Sequence, residues 1–303
     1  MKIFIYGGSG YLGRSLIDGL GEKYKFFFTS RNKINIYKAN YINEKNDKKK
    51  FIQKLKESHL ILIANGPSFK DSSKNLFAYI KYLRDQANLI SRVKKKKAKV
   101  IYFSSVHVYE NFKIRKAKTS DLLNSRSDYA IRNIVCENLL LNKLKNQNIN
   151  VIRISNIFGI QKEMFKLSNS VFKLSVNQFC LNVIKNKKIL INSNPNEKRN
   201  FVSVNDFVYF IEKAFILKNY KLNKIINYAS KKDVSLNYLI NMIKSQSKKL
   251  KIKLPEIKFI NKIPKSKINY KFDLNDVKKH KLEPKISLKN EIKNTLKKIK
   301  CLN

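Results

Sequence analysis

The chain is short of cysteine, histidine and acid: three Cys, three His, and 21 Asp and Glu against 65 Lys and Arg in 303 residues. Cys136, Cys180 and Cys301 form an odd set without the close spacing of metal ligands. That argues against a disulfide framework and for a reducing compartment, with each thiol expected to serve as a small buried apolar group. Nor is there an apolar run near the roughly 18–20 residues that cross a bilayer, and glycine breaks the N-terminal run too early for a secretory signal. The expectation is a cytoplasmic protein with no membrane span, drawn to anionic lipid by charge alone if at all.

The shortage of acid leaves a formal charge of +44. Clustered Lys and Arg would release phosphate counterions from nucleic acid, but here lysine greatly outnumbers arginine and is spread from Lys23 to Lys300, as on solvated faces. Nucleic acid is therefore not the expected partner. The densest run, Lys94-Lys95-Lys96-Lys97, reads as a solvated connector or as a surface for an acidic partner.

Glycine is scarce too, yet four of the eight fall in the first thirteen residues. The apolar run Ile3-Phe4-Ile5-Tyr6 enters Gly7-Gly8-Ser9-Gly10-Tyr11-Leu12-Gly13, and Leu12, Leu16 and Leu20 then recur at helical spacing. Strand, glycine turn and helix in that order let a pyrophosphate rest on the N–H groups of a helix N-terminus. Gly7, Gly10, Tyr11, Leu12 and Gly13 are thus the expected dinucleotide-binding residues. A glycine-rich turn without a ligand is the alternative.

Strand-like segments recur at Lys2–Tyr6, Lys25–Thr29, His59–Ala64, Lys99–Phe103 and Asn150–Ile154, with helical patterns between several of them. Leu60-Ile61-Leu62-Ile63 and Val100-Ile101-Tyr102-Phe103 do not alternate polar with apolar residues, as expected of strands covered on both faces. The fold class this predicts is α/β, a doubly wound parallel (Rossmann) sheet with a smaller C-terminal lobe. Residues 1–158 are expected to form the dinucleotide-binding domain, with 200–230 rejoining it. Residues 159–199 and 231–303 would form the lobe, including a helix over Phe179–Lys185 and a short strand at Ile189–Ile191.

These features resemble the extended short-chain dehydrogenase/reductase family, the NAD(P)-dependent epimerases and dehydratases of nucleotide sugars. The resemblance runs from Lys2 to about Lys298. Its landmarks are the glycine turn, His59–Gly66, Val100–Tyr109, Tyr129, Val151–Gly159, Arg199–Asp206 and Phe272–Leu288. It implies hydride transfer at a sugar carbonyl or hydroxyl, with Ser105 polarising the carbonyl and Tyr129 as acid/base. Where the family places a lysine four residues after that tyrosine, this chain has Asn133. An amide can bond a ribose hydroxyl but brings no charge. Arg132 lies near the same face, and Asn133→Lys is expected to raise the rate near neutral pH. His107, two residues before Tyr109, sits where some members carry a further acid/base group; a strand-end histidine without catalytic duty is the alternative. Val106-His107 stands where the 4,6-dehydratase branch carries Asp-Glu, so that elimination is not expected. His59 and His280 are expected to be structural.

The end of the second strand reads Phe28-Thr29-Ser30-Arg31-Asn32, with no acid to accept from a ribose 2′-hydroxyl, so Arg31 favours NADP, with NAD possible. The resemblance places Asn65, Gly66 and Asn156 near the cofactor and Arg199 on the substrate diphosphate. It implies a nucleotide-sugar epimerase or reductase serving polysaccharide synthesis, and a homodimer. Two rivals stay open. One is a non-catalytic dinucleotide-binding sensor or scaffold, suggested by Asn133; the other is an RNA-binding member that no longer uses its pocket.

Overall fold

The computed structural model describes residues 1–66, 76–93, 98–109, 116–161, 175–218, 220–260 and 271–301; the Lys94–Lys97 run lies outside them, as does most of the polar stretch after Gln161. Seven strands form one sheet, each pair of neighbours parallel: β1 (Lys2–Tyr6), β2 (Lys25–Thr29), β3 (Ala39–Tyr41), β4 (Leu60–Ile63), β5 (Lys99–Ser105), β7 (Asn148–Ile154) and β11 (Ile225–Tyr228). Their order is β11-β7-β5-β4-β1-β2-β3, so the chain starts near the middle, winds outward to β3, and then crosses back to fill the other half. Strand β6 (Lys116–Ala117) pairs with β14 (Lys271–Phe272) outside that sheet. The short β3 carried no expectation, because Ala-Asn-Tyr shows neither a buried run nor alternation.

Both faces of the sheet are apolar, and successive residues serve opposite sides. Ile3 and Ile5 of β1 join Phe26 and Phe28 of β2 on one side, covered by Leu16 and Ile17 of helix α1 (Tyr11–Leu20) and by Phe207 and Ile211 of α6 (Val204–Ile211). Phe4 and Tyr6 face the other way, against Phe51 and Leu55 of α2 (Lys48–Glu57), Leu83 and Ala87 of α3 (Leu76–Val93), and Cys136 and Leu140 of α4 (Asp128–Lys143). Helix α6 passes into a π-helical stretch, Glu212–Leu217, so the pitch changes along the chain from Val204 to Leu217.

The lobe has its own core. Strand β8 (Asn156–Phe158), helix α5 (Ser175–Ile184), β9 (Ile189–Ile191), β10 (Lys198–Ser203), α7 (Leu236–Lys249) and α9 (Leu288–Lys300) bury Phe158, Cys180, Ile189, Phe201, Leu239, Ile292 and Leu296 together. Its small sheets are β12-β10-β8, with β12 at Asp233–Ser235, and β13-β9, with β13 at Ile257–Phe259. The short helix α8 (Asn275–Lys279) lies against β11. Cys136 and Cys180 are buried as expected, but Cys301 is exposed. It caps the C-terminal end of α9, beyond the last apolar contact of that helix at Ile299.

Candidate active site

The glycine turn lies at the carboxyl end of β1, where open α/β sheets bind their ligands. Gly7 adopts φ +82°, and a Cβ there would lie 2.8 Å from the Asn65 backbone. A Cβ on Gly13 would meet the Gly7 carbonyl at 2.6 Å, so a side chain at either place would force the helix away from the turn. Gly10 is the N-cap of α1 and offers no side-chain cap, and the first helical turn holds no acid. The N–H groups of that turn are therefore presented to a ligand, and an anion would meet the positive end of the helix dipole. The turn's own frame is fixed by backbone: Gly7 and Gly8 donate to the Thr29 carbonyl at 3.1 and 3.0 Å. Tyr11 instead sends its hydroxyl to the Gly159 carbonyl at 2.9 Å, tying the turn to the lobe. Leu12 packs half-buried on the core.

Beside the turn, at the end of β4, stand Asn65 and Gly66. The Asn65 carbonyl accepts from the Tyr79 hydroxyl at 2.8 Å. Its side-chain Oδ1 is buried and meets no hydrogen-bond donor among the described residues, which suits a donor arriving from outside the protein. Gly66 has φ +155°, and a Cβ on it would lie 2.7 Å from Arg132 Nη1. The residues present thus fit a dinucleotide: an open helix N-terminus for its pyrophosphate and an orphaned amide oxygen next to it.

The neighbouring strand end brings three expected residues together. Ser105 closes β5, and the chain turns at once into a short 3₁₀ helix, Val106–Tyr109. The His107 N–H donates to Ser105 Oγ at 3.3 Å, and the His107 ring stands edge-on to the Tyr129 ring, centroids 5.8 Å apart at 84°. Tyr129 sits in the first turn of α4, started where Ser127 Oγ accepts from the Ala130 N–H at 3.3 Å. Tyr129 is half-buried, whereas Asn133, one turn further on, is only 2% exposed. Asn133 turns inward: Oδ1 accepts from the Tyr102 hydroxyl at 3.1 Å and from Arg132 Nη2 at 3.3 Å, and Nδ2 donates to the Tyr129 carbonyl at 3.0 Å. The side chain expected to reach a ribose is held by protein groups on three sides. Burial raises the phenols of Tyr79 and Tyr102 well above their ordinary value, which keeps both as neutral donors at neutral pH.

What anchors α4 behind the site leaves little trace in the sequence. Ser104, Arg153 and Asn227 are lateral neighbours across β5, β7 and β11. Arg153 forks onto Glu137 of α4, with Nη2 to Oε2 at 2.7 Å and both side chains 2% exposed, and Ser104 Oγ donates to the same carboxylate. Arg153 Nη1 donates to the Tyr109 hydroxyl at 2.6 Å, and that hydroxyl donates in turn to Asn227 Oδ1 at 2.8 Å. Burial opposes the Arg153 charge, yet the bonds to Glu137 and Tyr109 outweigh it and hold the guanidinium above its ordinary pKa. The available signal was a lone charged residue in the strand Asn148–Ile154.

A sequence model described as the NAD dependent epimerase/dehydratase family matches residues 3–228. The chain belongs to that family. No curated protein matches it. Its fold is shared with a UDP-glucuronic acid 4-epimerase from Bacillus cereus, solved with UDP-glucuronic acid and NAD, at 18% identity, TM-score 0.80 and 100% coverage of both chains. It is shared also with a UDP-N-acetylglucosamine 4-epimerase from Methanobrevibacter ruminantium, solved with UDP-N-acetylmuramic acid, at 21% identity, TM-score 0.78, and 100% and 99% coverage. A third is an NAD-dependent NDP-hexosamine 5,6-dehydratase of tunicamycin biosynthesis, at 20% identity, TM-score 0.77, and 98% and 97% coverage.

Three further residues that the sequence singled out are placed as follows. Arg31 is exposed just past the end of β2, in a stretch without acid. Asn156 opens β8 and donates to the Asn200 carbonyl at 3.0 Å, so its amide links β8 to β10. Arg199, expected on the substrate diphosphate, holds Glu197 Oε1 with its guanidinium at 2.8 and 2.9 Å and Ser193 Oγ at 3.2 Å. The nearby carboxylate takes the fork a phosphate would need. His59 Nδ1 accepts the Lys2 backbone N–H at 3.3 Å, at the opposite end of the sheet from the site. No helix among the described residues is long and apolar enough to cross a membrane, and no group of three metal-ligating side chains occurs among them.

Proposed function

We propose that the protein is a nicotinamide-dinucleotide-dependent epimerase or reductase of a nucleotide-linked sugar, working through Ser105 and Tyr129. The observation that carries this is the meeting of Ser105, His107 and Tyr129 at one strand end, beside an uncapped glycine turn. When bound, the dinucleotide supplies the hydride acceptor or donor. Tyr129 would take the proton of the reacting sugar hydroxyl, or return it, while Ser105 donates a hydrogen bond to the same oxygen. His107, edge-on to the Tyr129 ring, is placed to relay that proton or to orient the phenol. Gly7, Gly10, Gly13, Asn65 and Gly66 form the cofactor cradle. On coenzyme choice, exposed Arg31 with no acid beside it favours NADP; NAD accompanies the Bacillus cereus relative. Arg199 would reach a diphosphate by exchanging Glu197 for it.

The described part of α4 also supports a homodimer. Between Ile131 and Asn142 every exposed position, Ile131, Val135, Asn138 and Asn142, is uncharged, in a chain of 65 Lys and Arg. A face kept free of lysine suits a second copy. The functional test is incubation with NAD or NADP and a panel of UDP-, dTDP- and GDP-sugars, read by NMR of the sugar protons. Conversion of one sugar that Tyr129→Phe abolishes supports the reading, and no conversion with either coenzyme contradicts it. One observation favours a second reading, a dinucleotide-binding scaffold: Asn133 faces protein groups and brings no charge.

A further inference from the structure

Arg132 is a cation folded into the candidate site. It is 4% exposed, its guanidinium carbon lies 4.7 Å from the Tyr129 ring centre and 5.3 Å from that of Tyr79, and its Nη1 presses on Gly66 where only a hydrogen leaves room. Burying a guanidinium is costly unless its charge serves something close by. It covers the aromatic faces of Tyr129 and, slightly farther off, Tyr79, whose electrons attract a cation more strongly where water is excluded.

We propose that Arg132 is a positioning residue for Tyr129: it holds the ring toward Ser105 and His107 and balances the negative charge that appears on the phenol oxygen when its proton leaves. This rests on Tyr129 acting as the acid/base. The neutral residue at 133 is then part of the device, because Asn133 Oδ1 accepts from Arg132 Nη2. A lysine at 133 would set two cations side by side, so Asn133→Lys alone should slow the reaction, opposite to the sequence-based expectation. The same lysine should help once Arg132 is neutral. One charge belongs in this pocket, at either of two adjacent positions.

Tetranitromethane nitrates tyrosine through its anion, so the site-resolved nitration rate of Tyr129 in the full chain, read by peptide mass spectrometry, reports this charge without coenzyme or substrate. Arg132→Gln is expected to slow nitration of Tyr129 about tenfold. Arg132→Lys and the double variant Arg132→Gln/Asn133→Lys should recover most of it. Tyr37 and Tyr238, exposed at 73% and 50%, should keep their rates throughout. An unchanged Tyr129 rate in Arg132→Gln would overturn the proposal, as would a loss that neither lysine-bearing variant recovers. Because no turnover is involved, a chain that converts no nucleotide sugar yet shows the expected pattern would sink the functional reading and leave only the effect of the Arg132 charge on the Tyr129 phenol standing.

Discussion

Two of the buried carboxylates, Glu137 and Glu291, are handled in opposite ways. Glu137, in the seam between α4 and the large sheet, has the Arg153 guanidinium and the Ser104 hydroxyl on it. Glu291, in the seam between α9 and β10, is 0% exposed and bonds neutral donors, Ser203 Oγ at 2.7 Å and Asn205 Nδ2 at 2.9 Å. Its Oε1 meets no donor among the described residues, and a Cβ on Gly159 would collide with it at 2.3 Å. Burial raises the Glu291 pKa against the bonds from Ser203 and Asn205, with Lys298 attracting and Asp206 repelling its charge. The difference shows where rigidity is placed. The seam that carries Tyr129 is closed by a matched charge pair, while the seam joining the lobe to the glycine turn, through Gly159 and Tyr11, holds a carboxyl whose pKa burial raises.

The largest effect should come from breaking the matched pair. Glu137→Gln leaves Arg153 buried without its counter-charge and should cost about 3–5 kcal/mol in urea unfolding; a loss under about 1 kcal/mol would mean the pair does not anchor α4. Ser104→Ala, which removes one donor to that carboxylate, should cost about 1.5–3 kcal/mol by the same measurement. In the other seam, Ser203→Ala removes a donor to Glu291 and the N-cap of α6, where Ser203 Oγ accepts from the Asn205 N–H at 3.1 Å, and about 1–2 kcal/mol is expected.

Glu291→Gln should act with the opposite sign and the smallest size. A carboxyl whose pKa is higher folded than unfolded binds its proton more tightly in the native state, so stability falls as pH rises from the unfolded value through the folded one. The penalty is then present at pH 7 and gone below the ordinary carboxylate range. Thermal midpoints of wild type and Glu291→Gln should therefore differ at pH 7, with the variant higher, and converge in acid. A variant that melts lower at pH 7 would show that Glu291 is a stabilising anion and erase the contrast.

Much of the sheet could be read from the sequence because covered parallel strands are continuous apolar runs, and β1 and β2 fall where those runs are. The edges moved: the expected strand at His59–Ala64 covers only Leu60–Ile63, and β5 runs on to Ser105. The glycine turn was equally visible, since backbone conformation and close approach select glycine by type. The surroundings of Tyr129 were only half visible. Spacing along α4 put Arg132 near Tyr129, but which way Asn133 turns is decided by Tyr102, thirty-one residues away in the chain. Spacing also left the Arg153–Glu137 pair hidden, because its register depends on β7 lying beside β5. For Arg199 the residue two positions earlier, Glu197, was in plain sight in the sequence, and it is the partner the guanidinium holds.

The most direct measurement is titration of the purified chain with NADH and NADPH, following nicotinamide fluorescence, which no tryptophan obscures. Saturable one-site binding of at least one coenzyme, abolished by Gly13→Val, is the expected result. Failure of both coenzymes to saturate the wild-type chain, or undiminished binding after that substitution, would contradict the placement of a dinucleotide on the turn beside Ser105 and Tyr129.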